Sequence, residues 1–142
     1  MITLQSGANT VYLTLSEMKT LSNPVYVLVF VNDNTKEKYM VTNTATTVQD
    51  DIQQFTITVQ ANPTWTSGQV ALSKYGFYHY YAYEVSTVVG LNYNTIIAAD
   101  IRTYVPTYFT TLLEQGKMHF KAPAQTVNDY RDSVETVKAY GS

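Results

Sequence analysis

The sequence predicts an all-β protein, a β-sandwich, on three observations. Charged residues make up only 14% of the chain against 45% hydrophobic, where about 25% charged is usual, and Thr, Ser, Asn, Gln and Tyr take the place of surface charge. Thr and Tyr favour strands, whereas the helix formers Ala, Leu, Glu and Lys are scarce. Apolar residues alternate with polar ones in several short runs, and Asn, Asp, Gly and Pro clusters punctuate them.

The 142 residues make one domain, long enough to bury roughly two-thirds of the surface of the unfolded chain. Absence of cysteine removes disulfide, zinc-thiolate and thiol-nucleophile chemistry and leaves the redox compartment open. A net charge of −2 and a pI near 5.5 give no electrostatic footprint for nucleic acid. The N-terminus shows no signal-peptide pattern and no apolar run approaches the ~18 residues of a membrane span. Synthesis in a cytoplasm, with no membrane partner, is the expectation.

Ile2 and Leu4 begin a first edge strand, broken at Ser6–Asn9. Thr10–Leu15 alternates, with Val11, Leu13 and Leu15 on one face, as in a half-buried antiparallel strand. Val25–Val31 is apolar on both faces and reads as a central strand or one covered by a neighbour. Asn32–Glu37 is a hairpin turn, because Asn and Asp bond their own backbone there, and Lys38–Thr42 returns as its partner. Residues 43–51 read as a Thr-rich loop, and Phe55, Ile57 and Val59 mark another half-buried strand. Asn62–Gly68 is a long turn holding the single Trp65, suited to capping the end of the sandwich, with ligand contact the alternative. Val70–Leu72 is a short strand.

Gly76–Ser86 is the most aromatic stretch and reads as a long strand near the middle of the sandwich. Period two puts Phe77, His79, Tyr81, Tyr83 and Val85 on one face and Tyr78, Tyr80, Ala82 and Glu84 on the other. The Tyr78/Tyr80 face is expected to be wet or partner-facing, and Phe77, Tyr81 and Tyr83 to be core. Val88–Leu113 is an irregular insertion in which Ile96–Arg102 is a strand or one helical turn, and Pro106 blocks a regular element. Gly116 opens a last strand, Lys117–Lys121, with Met118 and Phe120 on one face. The chain thus divides into a sandwich domain, 1–122, with the insertion at 88–113, and a C-terminal docking arm, 123–142. In the arm, Val127, Tyr130, Val134 and Val137 fit a helical stripe, while Ser133–Tyr140 equally fits an extended segment. About seven strands at spacings of roughly 8–15 residues fall within the range of immunoglobulin-like antiparallel sandwiches.

No catalytic signature is present. His79 and His119 lack neighbours at ligand spacing and read as ordinary strand histidines. Asp50-Asp51 reads as a solvated loop, with a calcium ligand set as the alternative. No phosphate-binding loop and no oriented nucleophile appear, so no enzyme activity, cofactor or metal is expected. The tyrosines are the positive signal, since Tyr supplies large amphipathic contact area at interfaces. Protein partners are expected to engage Tyr78 and Tyr80 and, from the arm, Tyr130, Val134, Val137 and Tyr140.

Asn9-Thr10-Val11-Tyr12-Leu13-Thr14-Leu15-Ser16-Glu17 with Leu21-Ser22-Asn23-Pro24-Val25-Tyr26-Val27-Leu28-Val29-Phe30, then Phe55–Val59, then Ser67–Leu72 with Gly76–Glu84, together resemble small virion proteins of tailed bacteriophages infecting Bacteroidota, crAss-like phages included. Glu114–Met118 and Glu135–Tyr140 are weaker echoes. The resemblance covers most of residues 9–86 and is scattered beyond. It implies an immunoglobulin-like domain on the phage particle, an auxiliary or decoration protein of the capsid without enzyme activity. It also favours an extended arm over a helical one. The insertion at 88–113 departs from it, being longer than the short Asp/Asn loop of the family. The expectation is a structural virion protein made in the host cytoplasm and bound at the capsid surface to the major capsid protein or other virion proteins, with self-association open. The alternative is a head-fibre, collar or tail module that binds host surface glycan through Tyr78, Tyr80 or Trp65.

Overall fold

The structure, a computed structural model, describes residues 1–15, 17–22, 24–43, 46–49 and 52–123. It is mostly β. The strands are β1 (Ile2–Leu4), β2 (Gly7–Leu13), β3 (Val25–Asn32), β4 (Lys38–Asn43), β5 (Thr46–Gln49), β6 (Ile52–Val59), β7 (Gln69–Val70), β8 (Gly76–Val85) and β9 (Thr111–Phe120). A five-stranded sheet has the order β1-β9-β8-β3-β4, and a second sheet has the order β2-β6-β5, with β7 paired to β6.

Pairing is not wholly antiparallel as expected, since β1 runs parallel to β9 and β7 parallel to β6. For β1 the cause lies at Ser6-Gly7, where the chain leaves one sheet for the other instead of forming a hairpin. Gly7 takes φ of 90°, a conformation that glycine adopts without a Cβ penalty. The Asn9 side chain clamps the switch by accepting from the Gln5 N–H and donating to the Gln5 carbonyl, both at 2.8 Å. β2 consequently begins at Gly7, earlier than the Thr10 that alternation marks.

Inward side chains of both sheets form one core. It includes Ile2 and Leu4 of β1, Val11 and Leu13 of β2, Tyr26, Leu28 and Phe30 of β3, Phe55 and Ile57 of β6, Tyr78 and Tyr80 of β8, and Met118 and Phe120 of β9. The other face of β3 also packs: Val27 and Val29 join Met40, Tyr83 and Val85 beneath Ile96, Tyr104 and Phe109. These last three come from the segment between β8 and β9. β3 is therefore apolar on both faces because it is covered on both, by the second sheet and by this insertion.

The insertion has structure of its own. A short helix, α1 (Tyr93–Ala98), starts where the Asn92 side chain accepts from the Thr95 N–H, the usual service of an N-cap. A 3-10 turn, Ile101–Thr103, starts where Asp100 accepts from the Arg102 N–H. One further helical turn, Tyr104–Thr107, is interrupted at Val105 (φ −84°, ψ 132°). Val105 precedes Pro106, whose ring excludes the helical conformation from the residue before it.

Further elements differ from expectation. Residues 46–49, read as loop, pair with β6 through a register shift between Thr47 and Gln49. β9 begins at Thr111 rather than Lys117: Leu112 pairs with Tyr83 and Glu114 with Ala82, so Leu113 is an extra residue, a bulge in β9 itself. The bulge turns Leu113 to the same inward side as Glu114 and hides the alternation.

Tyr104 is fully buried, with its hydroxyl unpartnered among the described residues. Burial, reinforced by Tyr108, Asp100 and Tyr93, pushes its phenol up to about 12. A raised folded pKa favours the neutral phenol, so its stabilising effect is complete below the ordinary value of about 10 and is lost as pH rises from about 10 toward 12. Tyr104→Phe keeps the rings 5.8 Å from Tyr83 and Phe109 and removes the stranded hydroxyl. Urea unfolding is expected to show a gain of about 1 kcal/mol and a shallower stability loss above pH 10. A variant less stable than its parent at neutral pH would show that the hydroxyl is partnered after all.

Candidate interaction surfaces

Tyr78 and Tyr80 are not on a wet face. Tyr78 is 0% and Tyr80 6% exposed, and both lie in the core between the sheets. Period two defines two faces of a strand but not which one faces inward. Each polar tip is satisfied within the chain, which is what makes its burial tolerable. The Tyr78 hydroxyl donates to the Lys74 carbonyl (2.6 Å) and the Tyr80 hydroxyl to Glu114 Oε2 (2.6 Å). The Glu84 carboxyl group, fully buried, accepts from the Thr20 N–H (2.9 Å), the Thr20 hydroxyl and the Leu21 N–H. Burial raises the Tyr80 phenol strongly, and its bond to Glu114 adds to the shift.

The outward face of β8 divides in two. Tyr83 and Val85 lie under the insertion, whereas Phe77 is 52% exposed and His79 and Tyr81 are half-buried. Phe77 was expected in the core and is instead at the surface. Cross-strand register puts it opposite His119 of β9, and the two rings stack with centroids 4.6 Å apart and planes 18° from parallel. His79 contacts the Tyr81 ring at 4.7 Å and Gln115 Oε1 at 3.1 Å. Lys117 pairs with Asp33 at 2.6 Å beside them. Together these form an exposed aromatic platform, bordered by a cleft of about 480 Å³ whose lining includes Lys36, Lys38, Tyr81 and Asp100. The sequence carried the signal, since Phe77 and His119 sit on the strand faces opposite Tyr78 and Met118.

A second surface lies at the margin of the larger sheet. β9 is ten residues long, whereas β1 is three and pairs only with Met118–Phe120. Glu114–Lys117 therefore has no strand partner on that side among the described residues. The edge borders a groove of about 610 Å³ between the sheets, whose lining includes Met1, Tyr12, Leu13, Ile52, Tyr80 and Glu114. Met1 is 79% and Tyr12 59% exposed.

The opposite margin is closed. The Met40 N–H of β4 donates to the Tyr93 hydroxyl (3.2 Å), and Lys38 Nζ donates to the Ala99 carbonyl (2.5 Å). The Trp65–Ser67 turn packs along β4, and Trp65 itself is half-buried against Tyr93 at 5.8 Å.

Tyr130, Val134, Val137 and Tyr140 of the arm, and Asp50-Asp51, lie outside the described residues. Among the described residues, no three His, Cys, Asp or Glu side chains come together as a metal site would require. Comparison with protein-family models, with curated proteins and with solved structures finds no match for this chain.

The floor of the groove depends on Gly116. It faces Tyr80 across the strand pair, and a Cβ there would lie 2.9 Å from Tyr80 Cε1. Gly116→Ala is expected to displace the ring, break the Tyr80–Glu114 bond and cost about 1–3 kcal/mol. Thermal unfolding of the variant measures the cost, and an unchanged melting temperature would show that the ring gives way freely.

Proposed function

We propose that this protein is a non-enzymatic structural component of a bacteriophage particle, an auxiliary or decoration protein bound to the capsid, with an immunoglobulin-like sandwich as its scaffold. The strand order supports the scaffold. β9-β8-β3-β4 on one side and β2-β6-β5 on the other fit the GFC sheet with its added strand and the BED strands of a variable-type domain. The stretches that resemble virion proteins fall largely on β2, β3, β6, β7 and β8.

The observation that carries the role is the unpaired Glu114–Lys117 edge beside a groove flanked by the exposed Met1 and Tyr12. An unpaired edge invites strand addition, in which main-chain hydrogen bonds supply affinity without special chemistry. A capsid lattice multiplies such sites, so each contact can be weak. The major capsid protein or another virion protein is the proposed partner, at the capsid surface of a particle assembled in the host cytoplasm.

Quantitative mass spectrometry of purified particles tests the proposal. A copy number comparable to that of the major capsid protein is expected. A value near zero would sink the structural role, and one far below the capsid protein would move the chain to a fibre, collar or tail.

The Phe77–His119 stack favours a second function, binding of host glycan, because an exposed aromatic plane flanked by His79, Gln115 and Lys117 offers stacking together with hydrogen bonds. Here a glycan array should lose its signal on Phe77→Ala and keep it on Tyr12→Ala. No signal with the parent protein would leave the capsid role alone.

A further inference from the structure

The Glu114–Lys117 edge is a built slot rather than merely a bare strand. Lys121 N–H donates to the Leu4 carbonyl at 2.8 Å, so by strand alternation the main chains of Lys117 and Gln115 turn toward the same side. No strand of the described chain meets Gln115, whereas the Lys117 carbonyl flanks the parallel pairing of Ile2 with Met118. The slot has two ends. Met1 and Ile2 stand at one. At the other, the segment before β3 is held in place by Glu84 through Thr20 and Leu21, and the Thr20 hydroxyl lies 3.4 Å from that of Thr111. A strand laid along this edge sets alternate side chains into the groove, against Leu13, Ile52 and the Tyr80 ring, with the Glu114 carboxyl group beside them. The remaining side chains lie on the outer face beside Gln115 and Lys117.

We propose that this slot receives an extended segment from the C-terminal arm, residues 124–142, of a second copy of the chain, so that copies link arm to edge. The proposal rests on the particle-protein role for its setting, where many copies lie close together. The length of the arm and the place where it starts argue for this occupant. β9 ends at Phe120, the far end from the slot, and β1 occupies the margin at Met118–Phe120. A hairpin return of the arm onto its own β9 would run through β1. The arm of a neighbouring copy meets no such barrier, and at about 3.3 Å per residue the 19 residues of 124–142 reach roughly 60 Å when extended. Its Ser133–Tyr140 stretch brings the β-branched Val134, Thr136 and Val137, which suit a strand, and Lys138, whose charge complements Glu114.

The chain has no cysteine, so cross-linking can be made specific. Full-length Gln115→Cys protein is mixed with each of eight full-length partners carrying one cysteine at positions 133–140, under mild oxidation. A covalent dimer is expected for alternate partner positions, at a yield roughly tenfold above Arg102→Cys mixed with the same partners. Excess synthetic 124–142 peptide should suppress it. Three results would overturn the proposal: dimer yields no higher than the Arg102→Cys control, a Gln115→Cys homodimer that outcompetes every mixed pair, or an intrachain disulfide as the main product when both cysteines are in one chain. Co-sedimentation of the uncrosslinked parent with phage particles is measured in parallel. Loss of cross-linking with co-sedimentation retained removes the slot alone, and cross-linking without co-sedimentation removes the particle role alone.

Discussion

Burial of the polar side of β8 is the constraint on which the rest of the structure depends. Tyr78, Tyr80 and Glu84 carry groups that would be costly to desolvate alone, and each is matched by a different part of the chain. The Lys74 carbonyl takes the Tyr78 hydroxyl, Glu114 takes the Tyr80 hydroxyl, and Thr20 with Leu21 serve Glu84. These bonds tie β8 to the turn before it, to β9 and to the segment between β2 and β3. A strand that looks like a surface therefore acts as the central connector between the sheets. The same bonds hold Tyr80 against Gly116 and so give the groove its floor.

The insertion between β8 and β9 does the corresponding work on the outer face. By laying Ile96, Tyr104 and Phe109 over Val27, Val29 and Tyr83, it turns half of that face into a second core. It also closes the β4 edge through Tyr93 and the Ala99 carbonyl. What it does not reach on that face, the Phe77–His119 platform, stays open, whereas the Glu114–Lys117 edge at the other margin is left bare by the shortness of β1.

Much of the fold was legible in the residues, for reasons that also mark where legibility ended. Val25–Val31, the Asn32–Glu37 turn and Gly76–Ser86 were readable because periodicity and turn chemistry are local properties. The second coat of β3 was foreseeable from its two apolar faces, though not the element that supplies it. The inward side of β8 was misread because two of its polar tips, those of Tyr80 and Glu84, are satisfied by residues distant in sequence, Glu114 and Thr20, and no local pattern records such partners. β9 was shortened because the extra residue Leu113 breaks the alternation before Lys117. Which edge stays open was not legible for a different reason: an unpaired strand margin is a property of topology, visible only once β1 is seen to stop at three residues.

The parallel pairing of β1 with β9 has a consequence for how the chain is made. Ile2 lies against Met118 and Leu4 against Phe120, so nearly the whole described chain separates the two partners. On the ribosome the first strand emerges long before its neighbour exists, and the margin of the larger sheet closes only when β9 has been synthesised. Pairings of such wide separation are slow to form, because loop-closure entropy is lost before any contact compensates. Folding is thus expected to finish at the two ends together, with β8 exposing its β9-facing edge to other nascent chains until that moment.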